Sequence, residues 1–166
     1  MRAAVHALAG AGAALAAWLI QALILLMLAI LAYQVFMRSV LDAPPSWTEE
    51  VALLGFTWLI LLGTAYGVRQ GIHVRMDVLL DALPARWRVV LERAIAAAVA
   101  IVGGLLALAG WDYVLATSDT TSAAIGYPMP VLYVSTVVSG ALIAVFGIER
   151  LLGAAPGEPP REGAGP

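Results

Sequence analysis

Four long stretches without a charged side chain divide this chain: 7–37, 51–68, 94–111 and 120–148. The two shortest, at 18 residues each, make about 27 Å of helix at ~1.5 Å per residue, enough to cross a hydrocarbon core of roughly 30 Å. The pattern predicts an all-α integral membrane protein with spans near 14–36, 51–68, 94–111 and 131–148, a membrane domain covering 14–152. The fourth span is placed late in its stretch because Pro128 and Pro130 mark a turn before it. Between the second and third spans, Ile72, Met76, Leu79, Leu80 and Leu83 recur at helical spacing, with His73, Asp77 and Asp81 on the other side and Pro84 as a stop. That segment, 72–83, is too short to span and suits an amphipathic helix lying in the interface, the alternative being a solvated linker.

The best specified helix start is Ser46-Trp47-Thr48-Glu49-Glu50. Ser46 and Glu49 have the spacing of a capping box, two acids in the first turn suit the helix dipole, and Pro44-Pro45 makes a stiff approach. At the far end of the same apolar run comes Arg69-Gln70-Gly71-Ile72-His73. Along it Gly55, Gly63, Gly67 and Gly71 fall on nearly one face, and Thr136, Gly140 and Ala144 repeat the small-residue spacing in the fourth span. Such faces let helices approach closely in lipid, within one subunit or against a partner.

Composition agrees with the pattern: 62% hydrophobic residues and 12% charged are too apolar for an ordinary soluble domain. All nine basic residues are arginines, and eight of them fall in the N-terminal segment, the second connection and the C-terminal segment, against Arg38 alone on the opposite side. The positive-inside rule then orients the chain with both termini inside. Residues 1–13 are expected as a cytoplasmic N-terminus, and 153–166, rich in Gly and Pro, as a disordered cytoplasmic tail. The apolar start runs on far beyond a signal-peptide core, so an uncleaved first span is expected. In this orientation the Trp47-Thr48-Glu49-Glu50 cap faces outward.

Several chemistries are disfavoured. A net charge of −2 gives no basis for nucleic-acid binding. With no cysteine there is no disulfide, thiol nucleophile or Cys-ligated metal. His6 and His73, the two histidines, lie outside the spans without a carboxylate cluster at ligand spacing, so a haem or metal site is not expected. Glu49 and Glu50 lack the nucleophile and oxyanion donors of a catalytic centre. The predicted spans contain no Asp, Glu, Lys, Arg or His. An ion-coupled carrier usually keeps such groups at mid-depth despite a cost of ~2.5–3.5 kcal/mol each. A scaffold is therefore favoured over a small homo-oligomeric transporter or channel, the alternative of comparable size. No enzyme activity and no cofactor are expected.

The residues also resemble a known family, the small membrane (DctQ-like) subunit of tripartite ATP-independent periplasmic (TRAP) transporters. The likeness is carried by Phe36-Met37-Arg38, Trp47-Thr48-Glu49-Glu50, Gly63, then Arg69-x-Gly71-x-His73-Val74-x-Met76-Asp77, Leu83-Pro84 and Thr121 to Pro128 (TSAAIGYP). It covers about residues 30–150 and departs at Arg38-Ser39-Val40, where the family usually has an aromatic after the arginine. The resemblance implies a small subunit in the bacterial inner membrane that braces a large multi-span subunit. The large subunit would carry a solute, usually an organic acid, inward on an ion gradient after delivery by a periplasmic binding protein. The residue pattern and the resemblance together single out Arg38, Trp47, Glu49, Glu50, Gly63, Gly67, Arg69, Gly71, His73 and Asp77 for roles in assembly and orientation, with membrane lipids as the remaining partners.

Overall fold

The computed structural model describes residues 2–43, 45–71 and 85–153. The expected interfacial helix over 72–83, including His73 and Asp77, and the tail beyond 153 lie outside the described residues. Four helices account for nearly all of the rest: α1 (Arg2–Val40), α2 (Trp47–Gln70), α3 (Ala85–Ala116) and α4 (Pro130–Leu151). All four are long and apolar enough to cross a membrane, and no strand occurs among the described residues. They run alternately up and down, so the starts of α1 and α3 share one end with the close of α2 and α4. We refer to this as the terminal end, and to the opposite one as the loop end.

The helix α4 is the hub. It packs on α1, α2 and α3; α1 also packs on α2, whereas α3 has α4 as its main neighbour. The cross-section is therefore a three-helix cluster with α3 outboard. Large apolar side chains such as Leu25, Leu28, Ile101, Leu105 and Leu108 remain exposed on α1 and α3. In water such faces would drive aggregation, but in lipid they are matched to the solvent.

Antiparallel register follows from the closest contacts. Gly55 of α2 lies against Met27 of α1, Gly12 of α1 against Leu142 of α4, and Gly10 beside Arg69. Thus α2 pairs with roughly residues 10–33 of α1. At 39 residues, or roughly 58 Å, α1 overshoots its neighbour at both ends. Its inward seam, Ala9, Ala13, Ala16 and Ile30, is small at the terminal end, and there Ala9 and Ala13 join Ala65, Val68, Ile143 and Phe146 in the core. Within the segment 1–13, expected as a cytoplasmic N-terminus, Ala9 and Ala13 thus contribute core side chains.

The tightest packing joins α3 to α4. A methyl group on Gly103 would lie 2.5 Å from the Ala144 backbone nitrogen, one on Gly140 2.5 Å from that of Ala107, and one on Gly147 2.7 Å from that of Ala100. The backbones touch, so only hydrogen fits at these positions. Thr136 and Gly140, seen in the sequence as a small-residue stripe, thus face Gly110, Gly103 and Ala107 of the same chain.

The α1–α2 turn is closed by Leu41 and Ala43, whose backbone N–H groups both donate to the Met37 carbonyl (3.2 and 3.3 Å). Between them Asp42 takes the left-handed conformation, φ 49°, more often left to glycine.

Candidate assembly sites at the two ends of the bundle

At the loop end the expected capping box does not form. Ser46 already has helical dihedrals (φ −65°, ψ −25°) and makes no side-chain cap hydrogen bond, because a cap oxygen reaches back to the free N–H groups only from a non-helical residue. The Thr48 hydroxyl instead donates to the Pro45 carbonyl at 2.7 Å, fully buried. Glu49 is exposed, and Glu50 turns away from its own helix. Its carboxylate accepts the backbone N–H groups of Ala124 (2.7 Å) and Ile125 (3.1 Å).

These donors sit at the tip of the α3–α4 loop, which is itself a built structure. Ser122 N–H donates to the Tyr127 carbonyl (2.9 Å), Met129 N–H to the Thr120 carbonyl (3.0 Å), and Tyr127 N–H to the Ser122 hydroxyl (3.2 Å). Gly126 makes the turn at φ 71°. A carboxylate receiving two adjacent N–H groups is a strong, directional contact, so Glu50 pins this loop to the head of α2. Burial pushes the Tyr127 phenol above its ordinary range, and the Glu50 charge adds to that push. Nearby, the Trp58 indole N–H donates to the Val131 carbonyl (3.2 Å), and Trp47 packs its ring on Tyr33 of α1, centroids 5.8 Å apart. Arg38, on the last turn of α1, is exposed.

At the terminal end lies a cluster that the sequence reading missed. Glu149, one residue beyond the predicted fourth span, is inside α4 and only 1% exposed. Its Oε2 faces Arg69 Nε of α2 at 3.4 Å, and its Oε1 lies 3.9 Å from His6 Nε2 of α1. The Arg69 guanidinium also lies over the Phe146 ring, 5.8 Å from its centroid. One acid thereby gathers side chains from three helices. The signal was available in Arg69 and Glu149, each the first charge beyond an apolar run at the same end. The predicted span ends at Ile148, one residue short of Glu149.

Gly71 closes α2 in the left-handed conformation, φ 78°, its N–H returning to the Val68 carbonyl at 3.3 Å. A methyl group there would lie 2.6 Å from the Arg150 guanidinium, so Arg150 rests on the bare glycine. The four glycines predicted to share one face of α2 divide. Gly55, Gly67 and Gly71 are buried, whereas a methyl group on Gly63 would meet nothing within 4 Å. Three fill the chain's own interior and one opens outward.

The hydroxyls along the helices are mostly satisfied locally. Thr57 donates to Leu53, Thr64 to Ile60 and Ser135 to Leu132, each to a backbone carbonyl of its own helix. Ser139 is buried without a partner among the described residues. No group of three or more metal-ligating side chains occurs among the described residues.

A bundle of membrane-spanning helices tied by polar contacts at its two ends has the make-up of a membrane-embedded subunit. Residues 27–157 match the DctQ component of tripartite ATP-independent periplasmic transporters, and the chain belongs to that family. It is 33% identical over 99 residues to the C4-dicarboxylate TRAP transporter small permease protein DctQ of Rhodobacter capsulatus, covering 58% of this chain. It is 30% identical over 112 residues, 63% of this chain, to the sialic acid TRAP transporter small permease protein SiaQ of Vibrio cholerae. These matches span 44% and 65% of the two relatives' own lengths. A third, 35% identical over 71 residues, covers 43% of this chain but only 12% of the sialic acid TRAP transporter permease protein SiaT of Haemophilus influenzae. Two of the segments that carry the resemblance, Trp47 to Glu50 and Thr121 to Pro128, are joined by Glu50.

Proposed function

We propose that this chain is the small scaffold subunit of a TRAP transporter, held in the bacterial inner membrane with both termini in the cytoplasm. It supports a large membrane subunit that carries the solute, an organic acid, inward on an ion gradient after a periplasmic binding protein delivers it. The observation that carries the reading is the division of labour within the bundle. The charged side chains that tie helix to helix stand at its two ends, and no Asp, Glu, Lys, Arg or His lies between Val51 and Val68, Ala94 and Trp111, or Val131 and Ile148. Such an interior gives an anionic solute or a coupling ion no charged partner at mid-depth. The match to a short part of the longer SiaT permease supports a place beside a larger permease unit.

The arginine distribution supports placing the terminal end inside and the Glu50-pinned loop outside. In that orientation Trp47, Glu49 and Arg38 present themselves at the outer rim, where Glu49 is free for the binding protein. Gly63, with open space beside it, is the position on α2 suited to a helix of the large subunit. The test is purification of a tagged copy from native membranes in mild detergent. A large multi-span partner should accompany it. Recovery of a homo-oligomer alone, active in liposomes, would overturn the scaffold reading in favour of a small self-contained transporter.

A further inference from the structure

Glu149 ties α4 to α2 through Arg69, but one of its oxygens takes no part in that tie. Its two oxygens are unequally served. Oε2 faces Arg69, while Oε1 is buried with no hydrogen-bond partner among the described residues. The nearest donor to Oε1 is His6 Nε2 at 3.9 Å, just beyond hydrogen-bond range. The imidazole side chain is 54% exposed, so it is open to solvent protons and free to turn. An orphaned buried oxygen costs desolvation without return, and a donor that arrives there is correspondingly favoured.

We propose that His6 is a proton-operated latch that fastens the N-terminal end of α1 to α4. The imidazole is the side chain whose charge ordinarily changes between about pH 5 and 8. When it takes up a proton, both ring nitrogens become donors and the ring closes on Glu149 Oε1. The carboxylate then stands between two cations, Arg69 from α2 on one oxygen and His6 from α1 on the other, and screens each from the other. When the proton leaves, the charge attraction is lost and α1 is held at this end by its packing through Ala9, Gly12 and Ala13. Among the described residues nearby, Arg150 of α4 rests on Gly71 and adds a further positive charge in the field of Glu149, and Gln70 of α2 donates to the Tyr66 hydroxyl at 2.8 Å. The sign is fixed by this geometry, with the latch closing as pH falls and opening as it rises.

The test is amide hydrogen exchange across residues 5–13 in the full chain, reconstituted in lipid nanodiscs. Measurements at about pH 5.5 and about pH 8, spanning the range in which an imidazole ordinarily changes charge, are corrected for the intrinsic pH dependence of exchange. The native chain should be several-fold more protected at the lower pH. His6→Lys, which carries a permanent cation, should be protected at both, and His6→Ala at neither. Equal protection of the native chain at both pH values would overturn the latch. So would a pH dependence that survives in His6→Ala, or a failure of His6→Lys to restore the protection that His6→Ala loses. Because His6 is exposed, neither variant removes a core side chain.

Discussion

The two halves of the bundle are held together by different means. The α3–α4 pair is closed along its length, with Gly103, Gly110, Gly140 and Gly147 bringing backbone against backbone. The α1–α2 side has a looser seam, with Met27 against Gly55, and α2 is tied to α4 and the α3–α4 loop by polar contacts at its two ends. Dispersion spread over many atoms secures the first pair; a few directional contacts fasten the second to it. A continuous interface tolerates no added volume anywhere, whereas a pinned one tolerates much in the middle and little at the pins.

This contrast breaks most sharply at Arg69. Arg69→Leu leaves Glu149 buried with its charge uncompensated, a change that typically costs about 3–5 kcal/mol. Thermal unfolding in detergent should show it as the largest single loss, and Glu149→Gln in the same chain should recover part of it. Next comes Gly140→Val. With Ala107 backbone 2.5 Å from the new carbon, nothing flexible is there to yield, and a loss at or above the usual ~1–3 kcal/mol of overpacking is expected. A paired-cysteine cross-link between α3 and α4 would report their separation. Gly71→Ala meets both a left-handed backbone, worth roughly 1–2 kcal/mol, and the Arg150 guanidinium, so fraying should appear at the end of α2 by hydrogen exchange. The smallest effect belongs to Gly63→Leu. Within the isolated chain its stability should stay within about 0.5 kcal/mol of the native value, while co-purification of the large subunit should fall. If assembly is unchanged, another face makes that contact.

The helices were legible because lipid demands uninterrupted apolar runs, and the arginines that end those runs stand out against them. Which glycines meet which partners was not. Spacing singled out the α2 face, but spacing records only that a backbone could approach; Gly63 and Gly140 look alike until the neighbouring helix is placed. The same limit explains Ser46 and Glu49, whose capping pattern is local, whereas Glu50 is engaged by a loop 74 residues away. Glu149 was passed over for a different reason. Its burial depends on Arg69 and His6 arriving from other helices, and an acid at the close of an apolar run ordinarily reads as solvated.

The outboard position of α3 has a mechanical consequence. A compact four-helix cylinder can rock about any axis in the membrane plane with little penalty. An elongated cross-section cannot, because rocking it about its narrow axis lifts α3 out of register with the bilayer and exposes apolar surface at both faces, a mismatch that costs fractions of a kcal/mol per Å. The Gly-lined contact with α4 makes that outrigger stiff. In the scaffold role proposed above, a body broadened in this way spreads load into the lipid over a wide footing.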